Sequence, residues 1–400
     1  MTNYAVNRKL EFIVKRGYIL LKNKRESNIE LLKVGAIIMI VISHVVQTLG
    51  NVEPQLSCYP TDAFMDLSKS AINFQTFILQ NMRYLGSLGN SIFFICSAWF
   101  LCESKKVSLN KIILILLNVW VISVLYLIII KSIGINIQMT EIIKSIFPTI
   151  FANNWYITVY ILIYAIHPFF NLVIEKLNRN ELLRVCLISS FLYFGICFIK
   201  PGVLCVSELV TYCVLYFCIA YIKKYAPKYT ANLQLNIKVL FLAIGMNMGL
   251  VFLSNVLGVV GSPYIKSLGG QVLRWCSNRN PFLILIALSL FNIFKELHFT
   301  SKAVNYVSSL SLLIYVIHEN ILFRTYIRPH ICIYIYRVLG YDLLLLWIFL
   351  FAIILFVISL VLAGLYKQTI QKITQKIADK VSPKILLLLD KIEKAIIKIE

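Results

Sequence analysis

Residues 30–49 read ELLKVGAIIMIVISHVVQTL, twenty positions carrying a glutamate, a lysine and a histidine in an otherwise apolar run. Twenty such residues are enough to cross a bilayer as an α-helix. Ionisable groups inside such a helix are expensive and are normally kept for a task. Lys33 and His44 stand eleven positions apart, almost three helical turns, so they share one face at a separation of roughly 16 Å along the axis. Glu30, one turn before Lys33, is positioned to pair with it at the membrane boundary. The stretch therefore fixes the class of the protein and offers its first two candidates for chemistry.

The rest of the chain agrees with that class. Of 400 residues, 59% are hydrophobic and 14% charged, with a mean hydropathy of +0.80. A water-soluble domain cannot bury so much apolar surface. The expected fold is all-α and polytopic, with about ten spans at 30–49, 84–102, 111–131, 155–175, 183–200, 203–222, 238–260, 281–297, 304–323 and 342–366. These runs are continuously apolar rather than alternating, which excludes a β-barrel. Net charge is +21, yet with the N-terminus inside, 27 of the 39 Lys and Arg fall on the cytosolic side and 11 outside. That is the positive-inside bias, so both termini are expected in the cytosol and the surplus speaks for anionic lipid rather than nucleic acid.

Three parts follow. Residues 1–29 form a basic lead-in without a cleavable signal, 30–366 the ten-helix transmembrane domain, and 367–400 a basic amphipathic tail suited to the membrane surface. Residues 50–83 and 132–154 make the longest outer loops, and IIKSIFPTIFANNWY (142–156) has the look of a re-entrant or interfacial element. Arg274, Arg279, Arg324 and Arg328 gather on the outer face. The ten cysteines form no CxxC pair, and those within apolar helices read as buried structural thiols.

Among residues that could carry chemistry, His318 in SLLIYVIHEN lies fourteen residues into its span, as His44 does in its own. Two imidazoles at one depth can flank a shared cavity, and either can act as a general base. Glu319 and Asn320 follow on other helical faces, so a His–Glu dyad within that segment is not expected. Glu319 instead marks a candidate acceptor mouth. Trp155 and Tyr156 are expected at the outer boundary as an aromatic belt. His167 precedes Pro168, which frees a backbone carbonyl. Asn90, Ser91 and Ser97 offer close helix packing or a polar lining. No P-loop, GxSxG, HExxH or carboxylate cluster for a metal is present.

Five of these segments, in order, resemble the membrane-bound acyltransferase family 3, which O-acetylates cell-surface glycans. RESNIELLKVGAIIMIVISHV (25–45) is similar to the family's first helix, in which a basic residue precedes a histidine by eleven positions. GNSIFFICSAWFL (89–101) matches its FF-x-x-SG second helix with Ser97-Ala98 in place of Ser-Gly. NNWYITVYILIYAIHPFFN (153–171), VLYFCIAYIKKY (214–225) and SSLSLLIYVIHEN (308–320) resemble later segments. Lys33 stands where the family usually has arginine, which keeps the charge and loses the bidentate fork. The entrance to the third span offers only Lys105, Lys106 and Lys111.

The resemblance implies a multi-pass enzyme of the bacterial cytoplasmic (inner) membrane. Its activity would be transfer of an acetyl group from acetyl-CoA to a hydroxyl of a cell-surface or exopolysaccharide sugar, without a metal. On that reading Lys33, with Lys105 and Lys106, receives the donor phosphates. His44 removes the acceptor proton or carries the acyl group itself. The acceptor, a glycan or lipid-linked saccharide, approaches past Trp155, Tyr156, Tyr160, His318 and Glu319, with Asn90 or Ser97 as candidate oxyanion donors. The alternative from another class is an exporter of polysaccharide or lipid-linked saccharide. A membrane glycosyltransferase would want more acidic or arginine side chains than Glu53, Asp62, Asp66, Lys69 and Arg83 in the loop 50–83.

Overall fold

In the computed structural model, residues 27–52, 74–200, 207–260 and 277–397 are described. The lead-in up to residue 26, the loop 53–73, Cys58, Cys205 and Arg274 lie outside them. The described residues are helical, with no strand among them. In chain order the helices are α1 Asn28–Val52, α2 Phe74–Arg83, α3 Leu85–Leu101, α4 Leu109–Ser132, α5 Met139–Ile146, α6 Trp155–Lys176, α7 Arg179–Ser190, α8 Glu208–Tyr225, α9 Leu233–Val260, α10 Pro281–Lys295, α11 Lys302–Ser309, α12 Ser311–His318, α13 Arg328–Leu339, α14 Leu344–Gln368 and α15 Ile370–Ile397.

Seven stretches among the described residues are long and apolar enough to cross a membrane: α1, the α2–α3 pair, α4, α6, α7 with its continuation to Ile199, α9 and α14. The protein is thus a multi-pass membrane protein. Three expected spans differ. Residues 203–222 correspond to the 18-residue α8, which carries Glu208, Lys223 and Lys224, and 281–297 to the 15-residue α10. The segment 304–323 is not one helix. It breaks at Leu310 between α11 and α12 and ends at His318, because the run Ser308-Ser309-Leu310-Ser311 supplies hydroxyls that compete for backbone and neighbours. Ser309 Oγ donates to the carbonyl of Tyr306, and Ser308 Oγ donates to the Glu30 carboxylate.

Helix α1 is the axis of the bundle, touching α2, α3 and α10 through α14. Its residues enter three apolar clusters in turn: Leu32 and Ala36 with α3, α8 and α10, Ile37 and Ile40 with α4 and α12, and Val41, Val45 and Leu49 with α14. Its start is pinned where Asn28 donates to the Lys295 carbonyl and Ser27 to Asn305. Helix α3 approaches α1 so closely that a Cβ on Gly89 would stand 2.7 Å from the Ala36 carbonyl oxygen, and one on Gly86 2.6 Å from Ser43 Oγ. Small residues at this seam are what let two membrane helices touch backbone to backbone.

The stretch expected to be re-entrant folds as α5 followed by a tight turn in which Ala152 takes a positive φ of 49°. Asn153 holds that turn by donating to the Lys144 carbonyl. Helix α15 packs on α4, with Thr374 donating to Asn118 and Asn110 to Asp379, and leaves Leu386 to Leu389 exposed. Cys96, Cys186, Cys197 and Cys332 are buried thiols.

Candidate active site

His44 lies on α1 one turn beyond Ile40, facing the end of α12. Its Nδ1 is 3.0 Å from Nε2 of His318 and 3.0 Å from Oε2 of Glu319. Hydrogen-bond accounting fixes the protons. His318 Nδ1 donates to the Ile314 carbonyl at 2.7 Å, so its Nε2 is an acceptor in the neutral ring. A carboxylate only accepts. His44 Nδ1 therefore faces two acceptors and must carry the proton, which leaves its Nε2 as a free lone pair. That is the tautomer a general base needs, held by a carboxylate as in a catalytic triad.

Glu319 can reach His44 because α12 ends at His318, so the next residue leaves the helical path. The following backbone is π-helical over Phe323–Ile327, and Arg324 and Arg328, one turn apart, both turn back to Glu319. Arg324 donates to Oε1 at 2.9 Å and Arg328 to Oε2 at 2.9 Å. Arg328 is 1% exposed, and two guanidiniums on one buried carboxylate offset the cost of burying its charge. The ligand atoms of His44, His318 and Glu319 lie within 4.8 Å of one another, a spacing a metal could use. The two guanidiniums on Glu319 oppose a dication there.

Two cavities flank this assembly. The first, about 220 Å³, runs from Lys33 and Lys111 past Ile37 and Phe93 to Tyr315, whose ring centroid is 6.2 Å from that of His44. Lys33 also reaches Glu30 at 3.5 Å. Lys111 donates to Tyr160 Oη at 2.9 Å and sits 4.4 Å above the Tyr164 ring. The second, about 340 Å³, is polar and includes His44, Arg83, Ser87, Trp155, Glu208 and Asn278. Asn90 lines both, and its side chain makes no hydrogen bond to another described residue.

The sequence-derived residues distribute unevenly over this geometry. Lys33, Tyr156 and Tyr160 line the first cavity, and His44 and Trp155 the second. Trp155 and Tyr156 are half-buried and pack on Tyr212, with centroids 6.3 and 5.9 Å away. His318 and Glu319, at 1% and 5% exposure, back His44 and line neither cavity. Lys105 pairs with Glu175 at the surface, Lys106 is exposed, and neither lines either of these two cavities. A His–Glu pair does form, between segments rather than within one. Ser97 lines the first cavity and donates to the Phe93 carbonyl.

Sequence reasoning did not single out Lys111, Arg324 or Arg328 for the site. Their signal is positional, since arginines five and nine residues after a glutamate meet it only if the helix stops. At His167, Pro168 removes the amide that would bond the Tyr164 carbonyl, and His167 Nδ1 donates to that oxygen at 2.7 Å instead. Asn171 closes the end of α3 by donating to the carbonyls of Leu101 and Ser104.

A family model described as an acyltransferase domain matches residues 26–366. No curated protein and no solved structure matches the chain. The matched region contains the His44–His318–Glu319 assembly, both arginines on Glu319 and the walls of both cavities, and with it the chain belongs to the membrane acyltransferase family 3.

Proposed function

We propose that this acyltransferase moves an acetyl group from acetyl-CoA to a hydroxyl of a saccharide, in a bacterial cytoplasmic membrane with both termini in the cytosol. The observation that carries the reading is the setting of His44, a half-buried imidazole whose Nδ1 meets the Glu319 carboxylate at 3.0 Å and which lines a polar cavity. The first cavity suits the donor: two lysines at one end for phosphate, then an apolar channel for the pantetheine arm, ending near Tyr315 beside His44. The second suits a polyhydroxylated acceptor, offering amides, hydroxyls and the Trp155 ring.

In this scheme the acceptor oxygen attacks the thioester carbonyl while His44 Nε2 takes its proton. The imidazolium is stabilised by Glu319. Asn90, without a hydrogen bond to another described residue and in both walls, donates to the oxyanion. Collapse breaks the C–S bond, and the proton on His44 passes to the departing thiolate. His318 and Glu319 act here as positioning residues, and Lys105 and Lys106 have no part.

The test is release of free CoA thiol from acetyl-CoA by protein reconstituted in lipid, wild type beside His44→Ala. Turnover that disappears in the variant supports donor and base together. Absence of donor binding and turnover in both proteins overturns the reading and favours passage of a saccharide without transfer.

A further inference from the structure

Arg83 belongs to the apolar α2–α3 stretch Phe74–Leu101, which is long enough to span a membrane. It is the last residue of α2 before the chain turns into α3 at Tyr84. Its backbone is fixed, because Ser43 Oγ donates to its carbonyl at 2.6 Å. Ser43 directly precedes His44, so the arginine is anchored beside the base. Its side chain lines the second cavity with His44, is only partly buried, and has no carboxylate partner among the described residues.

That is a costly arrangement. A guanidinium within a membrane-spanning segment almost always pairs with an acid or faces a polar cavity that serves a ligand. The acid in the same cavity, Glu208, is taken by Arg279 at 3.3 Å and by Asn278, whose amide donates to it at 3.0 Å. With that pair neutral overall and His44 uncharged, the described lining of the cavity keeps one positive charge without a carboxylate partner, and it is on Arg83.

We infer that Arg83 is a specificity residue for an anionic acceptor, a saccharide bearing a carboxylate or phosphate group close to the hydroxyl that is acylated. The inference rests on the proposed function and narrows its substrate class. A guanidinium presents a planar fork that grips either anion through two hydrogen bonds, while the Trp155 ring in the same wall offers a face to the sugar.

The experiment uses full-length protein in nanodiscs and three probes: methyl glucoside, methyl glucuronide and methyl glucoside 6-phosphate. Thermal stabilisation by each probe is measured first, because it needs no turnover. Acetyl transfer to each from acetyl-CoA is measured second. The wild type should be stabilised by one or both anionic probes and acylate that probe at least about tenfold better than the neutral one, as a lost charged hydrogen bond implies. A preference for the glucuronide assigns a carboxylate, and a preference for the phosphate ester assigns a phosphate. Arg83→Gln should erase the preference and Arg83→Lys retain part of it, with size-exclusion profiles reporting whether each variant folds.

Equal stabilisation and equal transfer for all three probes in the wild type overturns the inference, whatever the variants do. In that case CoA release still decides the proposed function on its own. Conversely, anion-selective stabilisation without any CoA release upholds Arg83 as an anion site while removing the acyltransferase chemistry from it.

Discussion

One oxygen of Glu319, Oε2, stands 3.0 Å from Nδ1 of His44 and 2.9 Å from a guanidinium nitrogen of Arg328. The imidazole and the arginine thus share a single carboxylate oxygen. The arginine supplies the permanent charge that keeps the acid ionised in the bundle, and the histidine draws its orientation from it. Glu319→Gln keeps the shape and removes the charge, and an amide nitrogen could then face His44 and permit the other tautomer. The expected result is a fall in kcat of about 10²–10⁴-fold with a small change in donor KM. A proportional rise in KM instead would assign Glu319 to binding.

The two arginines on Glu319 should differ in weight. Arg328 is 2% exposed at its side chain and Arg324 40%. Removing one partner of a fully buried pair costs about 3–5 kcal/mol, whereas an exposed pair is worth about 0–1 kcal/mol. Arg328→Met should lower the thermal unfolding midpoint in detergent markedly and Arg324→Ala hardly at all. Similar midpoints for both variants would sink this ranking.

For the donor, position in the first cavity rather than charge alone should decide. Lys33→Ala and Lys111→Ala are each expected to raise the acetyl-CoA KM about tenfold, the scale of one charged contact. Lys105→Ala and Lys106→Ala should stay within about twofold, because both side chains are at the surface away from the cavity. Steady-state CoA release over a donor titration separates the two pairs.

The α1–α3 seam makes a packing prediction. Gly89→Ala places a methyl group against the Ala36 carbonyl and Ile40, and a backbone oxygen cannot rotate away. Overpacking of this kind costs about 1–3 kcal/mol and pushes apart the two helices that carry His44 and Asn90, so activity should fall with stability. Gly245→Ala on α9 meets open space and should be neutral or stabilise by up to about 1 kcal/mol, as alanine favours a helix over glycine. Unfolding midpoints of the two variants give the comparison.

Much of this is legible in residues 30–49, and what is not lies mostly elsewhere in the chain. Apolar run length shows which segments can cross a membrane, and the shared face of Lys33 and His44 survives in the bundle because α1 is one uninterrupted helix. The matching depths of His44 and His318 likewise anticipate their contact. What escaped the sequence depends on where helices stop. The pairing of Glu319 with His44 is not legible locally, because SLLIYVIHEN reads as a continuing helix, whereas it ends at His318. Trp155 reads as a boundary aromatic, and its packing on Tyr212 joins two helices that no local pattern pairs. Arg324 and Arg328 become visible as site residues only after that ending is known. The seam at Gly86 and Gly89 is hidden for another reason: glycine spacing signals that a close approach is possible, without saying which helix makes it.

The amide of Asn90 belongs to both cavity walls, and that has a consequence for the membrane as a whole. On the proposed scheme a highly charged nucleotide and a bulky sugar must react without either crossing the bilayer. With Asn90 in both linings, that scheme would let the acyl group alone change hands while each large reagent keeps to its own cavity.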